Sequence, residues 1–344
     1  MRYRTLGNSG TVVSVQALGT MTFGGEADED TSGEIIRAYL DAGGNFLDTA
    51  DVYSKGVSEQ IIGRWLAANR VEAEQIVIAT KGRFPMGPGA NDYGASRRHL
   101  RDALDSSLAR LGVDFVDLYQ IHAFDALTPL EETLRFLDDA ITAGKIGAYG
   151  FSNFTGWQLT KAAWIAKVHG FAPPVTLQPQ YSLLVRGIEH EIVPAAQDQA
   201  IGLLPWSPLA GGWLTGKYQR DTVPTGASRL GDDPERGMEA YGPRNEDEHT
   251  WRVLDALKEV ADQTGATQAA VALAWLDAQP AVTSTILGAR SVEQLQQNLA
   301  AADLELEQAA LDRLTEASTP RTEVYPYGPL AVQQRHRAIA PPKA

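Results

Sequence analysis

The sequence predicts one α/β domain spanning residues 1–344, a (β/α)8 barrel of the TIM type behind an N-terminal β-hairpin, on three observations. Eight short apolar, β-branched runs recur along the 344 residues, at 12–18, 45–48, 76–80, 116–121, 146–151, 175–177, 201–205 and 283–287. Helical patterns separate most of them, which indicates a parallel sheet covered by helices. Polar residues gather at the ends of the runs: Asp48, Lys81, His122, Asn153, Gln178, Ser207 and Arg290 each lie at or just beyond one. A barrel builds its site at those C-terminal strand ends.

The elements follow in order. Residues 1–14 read as a short hairpin turning at Gly7-Asn8-Ser9-Gly10. Leu100, Leu104, Leu108 and Leu111 form a helical stripe, with Ser96 as its cap and Gly112 as its stop. Leu130, Leu134, Leu137 and Ile141 repeat the device and end at Gly144. Thr155, Thr267 and Ser291 are placed as three further N-caps. Residues 209–250 break the rhythm: rich in Gly, Pro and charge, they read as a long loop after strand seven, lying over the barrel mouth. The tail, residues 319–344, reads as wrapping the outside or edging the pocket.

Composition narrows the function classes. A hydrophobic share of 44% is enough for a sizeable core. No run approaches the ~18 apolar residues of a membrane span, and the N-terminus lacks an apolar signal stretch. Zero Cys excludes disulfides, thiolate metal sites and cysteine nucleophiles, and fits a cytoplasmic location. With 43 acidic against 30 basic residues, the net charge of -13 argues against a nucleic-acid surface. No H-E-x-x-H or similar spacing occurs among the six His, so no metal is expected. Gly211, Gly216 and Lys217 have P-loop spacing, but Tyr218 replaces the Mg²⁺-binding hydroxyl, so ATP chemistry is not expected.

Four residues are equipped for proton and hydride chemistry: Asp48 and Tyr53 in LDTADVYS, Lys81 in IATKG and His122 in LYQIH. A phenol is a poor acid near neutral pH. An adjacent ammonium stabilises the phenolate and lowers that pKa, and a carboxylate keeps the ammonium charged and placed. An imidazole opposite can donate to a carbonyl oxygen and orient it. Each residue alone has an ordinary structural explanation, whether helix cap, solvated lysine, buried histidine or packed tyrosine. Four compatible groups at three successive strand ends are harder to explain that way.

These motifs, with GFSN, LQPQYS, WSPLAGGWLTGKY and ILGARSVEQLQQN in the same order across roughly residues 1–315, resemble the aldo-keto reductase superfamily. The resemblance implies a nicotinamide cofactor bound without a Rossmann domain, and reduction of aldehyde or ketone substrates. It assigns Tyr53 as general acid, supported by Lys81 and Asp48, with His122 orienting the carbonyl. Ser152, Asn153 and Gln178 would hold the nicotinamide amide, Trp206 would stack on its ring, and Gly19, Thr20, Met21 and Asp48 join the cofactor site. Ser207, Leu209, Gly211 and Gly212 would let backbone amides approach a pyrophosphate, with Lys217 as a cation.

Residues 286–298 map onto adenosine 2′-phosphate recognition, with Gln294 and Asn298 near the adenine and its ribose. Gly288 stands where better-known members carry lysine, and Gln294 where they carry arginine, which leaves Arg290 as the main phosphate cation. NADP(H) is therefore the expected cofactor, with NAD(H) use left open. Phe23, Phe84, Phe124 and Trp213, with Tyr53 and His122, are the expected pocket walls and favour an apolar or aromatic carbonyl. Two rival readings stand beside the reductase: an NADPH-sensing regulatory subunit acting through a partner protein, and a sugar-phosphate lyase using Lys81 as Schiff-base former.

Overall fold

A computed structural model describes residues 1–226, 229–235, 237–320 and 326–328. The opening hairpin pairs β1 (Tyr3–Thr5) with β2 (Val12–Ser14) antiparallel, Tyr3 opposite Ser14 and Thr5 opposite Val12. Eight strands follow: β3 (Gln16–Gly19), β4 (Phe46–Asp48), β5 (Val77–Gly82), β6 (Val116–Ile121), β7 (Ile146–Ser152), β8 (Thr176–Gln178), β9 (Gly202–Leu203) and β10 (Thr285–Gly288). All neighbours are parallel, in the order β10-β3-β4-β5-β6-β7-β8-β9. The two end strands meet as well: Leu203 N–H donates to Ala281 O at 2.9 Å, Thr283 N–H to Leu203 O at 2.8 Å, and Ile286 N–H to Pro205 O at 2.9 Å. The fold is α/β, a curled eight-stranded parallel sheet consistent with a (β/α)8 barrel.

The apolar runs are continuous because each strand serves two cores at once. Ala17, Phe46, Val77, Ala79, Leu118 and Ile286 form one cluster built from strand and hairpin residues alone, so they occupy the concave face. Their neighbours Leu18, Leu47, Ile78, Tyr119 and Leu287 belong to the larger cluster shared with helix residues such as Ile35, Leu104 and Leu134. Alternation with period two sends successive side chains to opposite faces. Leu6 and Val13 of the hairpin add to the concave cluster.

Capping side chains start the helices. Ser96 accepts from His99 N–H, Thr267 from Ala270 N–H and Ser291 from Gln294 N–H, while Gln158 accepts from Thr155 N–H. Gly112 ends the helix Arg97–Leu111 at φ 68, a left-handed position that favours glycine. Among the described residues, no helix is long and apolar enough to cross a membrane.

Three expectations change. The run at 12–18 is two strands, because Val15 N–H turns back to Arg2 O and the Ser14 hydroxyl donates to Gln16 O. The run at 201–205 is a regular strand only over β9; beyond it Leu204 N–H still donates to Leu177 O and Pro205 O accepts from Ile286, but Pro205 has no N–H to continue the ladder. The stretch 209–250 is not structureless: it holds short helices at Ala210–Thr215, Arg229–Asp232, Gly237–Glu239 and Tyr241–Glu246, and its end already lies in the helix Glu248–Thr264. Its nucleus is Trp213, fully buried, stacked on Tyr241 at 5.5 Å and edge-on to Trp251, with its indole N–H on Glu239 O. Glu239 is itself paired with Arg244 at 2.7 Å. Trp213→Ala should therefore cost roughly 3 to 5 kcal/mol of stability. Urea unfolding measures this, and a loss below about 1 kcal/mol would show that the segment does not depend on this residue. Of the expected tail, only 319–320 and 326–328 lie within the described residues.

Candidate active site

The concave face turns from apolar to polar at the C-terminal ends of the strands. Asp48 stands two residues beyond Phe46, Lys81 two beyond Ala79, and Gln120 two beyond Leu118, so all three continue the inward register. The ladder brings them level, Asp48 beside Ala79, Lys81 opposite Gln120, and Ser152 opposite Gln178. Lys81 Nζ donates to Asp48 Oδ1 at 2.6 Å and to Thr49 O at 2.7 Å. Gln178 and Gln120 donate to Asp48 Oδ2 at 2.9 and 3.2 Å. Both charges of the pair are buried, with side-chain exposures of 0% and 2%. Taking them out of water is expensive, and these added bonds offset that cost.

Tyr53 is placed by a tight loop after β4. Tyr53 N–H donates to Ala50 O, Asp51 N–H to Lys81 O, and the Ser54 hydroxyl to Phe23 O. Ser54 and Lys55 sit at φ 47 and 56, strained positions for residues other than glycine. The phenol oxygen lies 3.3 Å from Lys81 Nζ. Opposite, the His122 ring is edge-on to Tyr53 at 5.9 Å and packs on Phe84 at 4.6 Å, and its Nδ1 is buried without a hydrogen-bond partner.

Electrostatics sharpen the picture and correct one expectation. Burial pushes the Tyr53 phenol above its usual range, and Lys81 is the largest influence pulling it back, so the net shift is upward rather than downward. Burial works against charge on Lys81, but Asp48 and Tyr53 outweigh it and raise its pKa. Burial, then Lys81 and Arg83, push His122 down to about 2, leaving a neutral imidazole at ordinary pH. The site thus holds a protonated phenol, an ammonium and a neutral imidazole side by side.

A cavity of about 370 Å³ opens from these groups, and Asp48, Tyr53 and His122 line it. Gly19, Thr20, Met21, Ser152, Asn153, Gln178 and Trp206 line it as well. The Trp206 indole N–H donates to Asn153 Oδ1 at 3.1 Å, and Asn153 Nδ2 donates to His122 O and the Ser152 hydroxyl. Ser207, Leu209, Gly211, Gly212 and Lys217 line it too, as do Gly288, Arg290, Gln294 and Asn298. A Cβ on Gly212, whose φ is 98, would stand 2.6 Å from Lys217 Nζ. The lysine tip could move aside, but the positive φ itself favours glycine at this position.

The aromatic walls behave differently. Phe23 and Trp213 are fully buried in the core and line no part of this cavity. Phe124 packs on Phe154 and Trp157 instead, at 5.4 and 5.7 Å. Phe84 reaches the site only through His122.

Two residues went unread in the sequence. Gln120 holds Asp48, and counting by two from Leu118 would have found it. Arg229 lines the cavity with an unpartnered, buried Nε, hidden in a charged, aperiodic stretch. With Lys217 and Arg290 it forms a cation cluster: burial, then Arg290 and Arg229, lower the pKa of Lys217. Arg290 also faces Glu26 at 3.6 Å. Among the described residues no group of His, Asp and Glu could hold a metal ion.

Known proteins share this arrangement of sequence. The chain is 38% identical over 324 residues to Uncharacterized oxidoreductase YrpG of Bacillus subtilis, covering 92% of this chain and 95% of that protein. It is 37% identical over 309 residues to a protein of Arabidopsis thaliana named Probable voltage-gated potassium channel subunit beta, covering 88% and 92%. It is 31% identical over 344 residues to the Versiconal hemiacetal acetate reductase of Aspergillus parasiticus, covering 93% and 98%. The profile described as Aldo/keto reductase family matches residues 17–319, nearly the whole barrel, and the chain belongs to that family.

Proposed function

We propose that the protein reduces aldehyde or ketone carbonyls to alcohols with NADP(H). The observation that carries this reading is the Tyr53 hydroxyl, 3.3 Å from a buried ammonium and opening on the cavity. A reduced nicotinamide supplies hydride when bound. Ser152, Asn153 and Gln178 present amide and hydroxyl groups suited to its carboxamide, Trp206 offers a ring face, and the cluster of Lys217, Arg229 and Arg290 suits its phosphates. Neutral His122 holds an N–H toward the carbonyl oxygen and orients it. Tyr53 gives that oxygen its proton, and Lys81, held charged by Asp48, stabilises the phenolate left behind. The proton on Tyr53 is then restored from solvent.

Arg290 is assigned the adenosine 2′-phosphate. Arg290→Ala should raise the KM for NADPH by about ten- to a hundredfold while changing that for NADH little, since a charge-assisted bond contributes roughly 1.5 to 3 kcal/mol. Steady-state kinetics with both cofactors checks this, and equal weakening of the two would move the 2′-phosphate elsewhere. A second reading, an NADPH-sensing regulatory subunit, is favoured by the likeness to proteins named as potassium channel beta subunits at 37% and 36% identity. Tight NADPH binding with no turnover of any carbonyl, together with a stable hetero-complex, would support it.

A further inference from the structure

The loop that carries Tyr53 also carries a buried carboxyl that the mechanism does not use. Asp51, two residues before Tyr53, has 0% exposure, and neither of its carboxyl oxygens makes a well-formed hydrogen bond, the adjacent Val52 N–H being the one donor that acts on it. Buried polar atoms are nearly always bonded, so an orphaned carboxyl is an exception that needs a reason. Its backbone N–H donates to Lys81 O at 3.1 Å, tying it to the strand that carries the ammonium. Glu59, fully buried on the helix Val57–Ala68, accepts from Thr80 Oγ1 at 2.5 Å and from Arg110 Nε at 2.7 Å. Tyr119 on β6 is fully buried too, and its hydroxyl has no partner.

We propose that Asp51 is an electrostatic positioning residue for proton transfer at Tyr53: its charge, gained or lost, sets how readily the phenol releases and regains its proton. The proposal rests on the reading of Tyr53 as the acid. The charged and titratable groups around Asp51 are Lys81 on β5, Glu59 and Arg110 on the two helices, Tyr119 on β6 and Tyr53 on its own loop. Burial first, and Glu59 second, raise the Asp51 carboxyl to about 7, against the pull of Arg110, the Val52 N–H and Lys81. It therefore changes charge within the working pH range. The sign is fixed by Coulomb's law: ionised Asp51 repels a phenolate at Tyr53 and makes that phenol a weaker acid, whereas protonated Asp51 does not.

The test is the pH profile of alcohol oxidation with NADP+, which needs the phenolate, for wild type, Asp51→Asn, Asp51→Ser and Asp51→Glu. Removing the charge should move the acidic limb of log kcat/KM down by about one pH unit. It should also erase the inflection near neutrality, and Asp51→Glu should restore both. Asp51→Ser gives the same reading through a smaller side chain should Asp51→Asn fail to fold. A limb that stays in place in a folded neutral variant, whatever happens to kcat or thermal stability, would overturn the proposal. Tyr53→Phe run alongside separates the two levels: an active Tyr53→Phe removes the reading of Tyr53, whereas an inactive one beside an unmoved Asp51→Asn profile removes only the role of Asp51.

Discussion

Tyr53→Phe is expected to lower kcat for carbonyl reduction by about 10²- to 10⁴-fold, the usual contribution of a positioned acid. The change removes one oxygen atom from a ring that otherwise keeps its place, in a loop held by backbone bonds at Ala50 and Lys81 and by the Ser54 hydroxyl on Phe23. The cavity-lining groups proposed to hold the cofactor, Ser152, Asn153, Gln178 and the cations Lys217 and Arg290, stay where they are. NADPH affinity, read by fluorescence titration, should therefore change less than about threefold, well under 1 kcal/mol. A parallel loss of cofactor binding would mean that Tyr53 shapes the pocket rather than handling the proton.

The second large effect concerns the buried ion pair. Lys81→Met removes the ammonium next to the phenol and leaves the Asp48 carboxylate with only two amide donors, Gln120 and Gln178. An uncompensated buried charge of this kind costs about 3 to 5 kcal/mol, and turnover should fall at least as far as in Tyr53→Phe. Adding Asp48→Asn should recover much of the stability by removing the stranded charge, yet recover no activity, since nothing then stabilises the phenolate. Urea unfolding and single-turnover kinetics on the same three proteins check both halves. A double variant that regains turnover would show that the charge on Lys81 is dispensable.

The sequence made one layer of this molecule legible and concealed another. Asp48 and Lys81 could be placed from strand ends alone, because the residue two beyond the last inward apolar side chain must share its face, and Ser152 and Gln178 end their strands level with each other. Gln120 obeys the same rule, two beyond Leu118, but stands beside the more conspicuous His122. Phe23 and Trp213 looked like pocket walls because loop aromatics near strand ends carry no periodicity to reveal which way they point. Trp213 turns inward because Tyr218, Tyr241 and Trp251, up to 38 positions along the chain, assemble a local core around it. The net shift at Tyr53 is hidden from the sequence for a related reason: Lys81 is visible in a motif, whereas burial depends on the whole fold. Arg229 and Asp51 likewise acquire meaning only once distant segments are brought beside them.

The most direct measurement is the decay of NADPH absorbance at fixed enzyme concentration against a panel of aromatic, aliphatic and sugar carbonyls, with Tyr53→Phe as control. Carbonyl reduction through Tyr53 predicts decay that requires both a carbonyl and the tyrosine hydroxyl. Decay that persists undiminished in Tyr53→Phe would contradict that chemistry, as would its absence across the panel despite measurable NADPH binding.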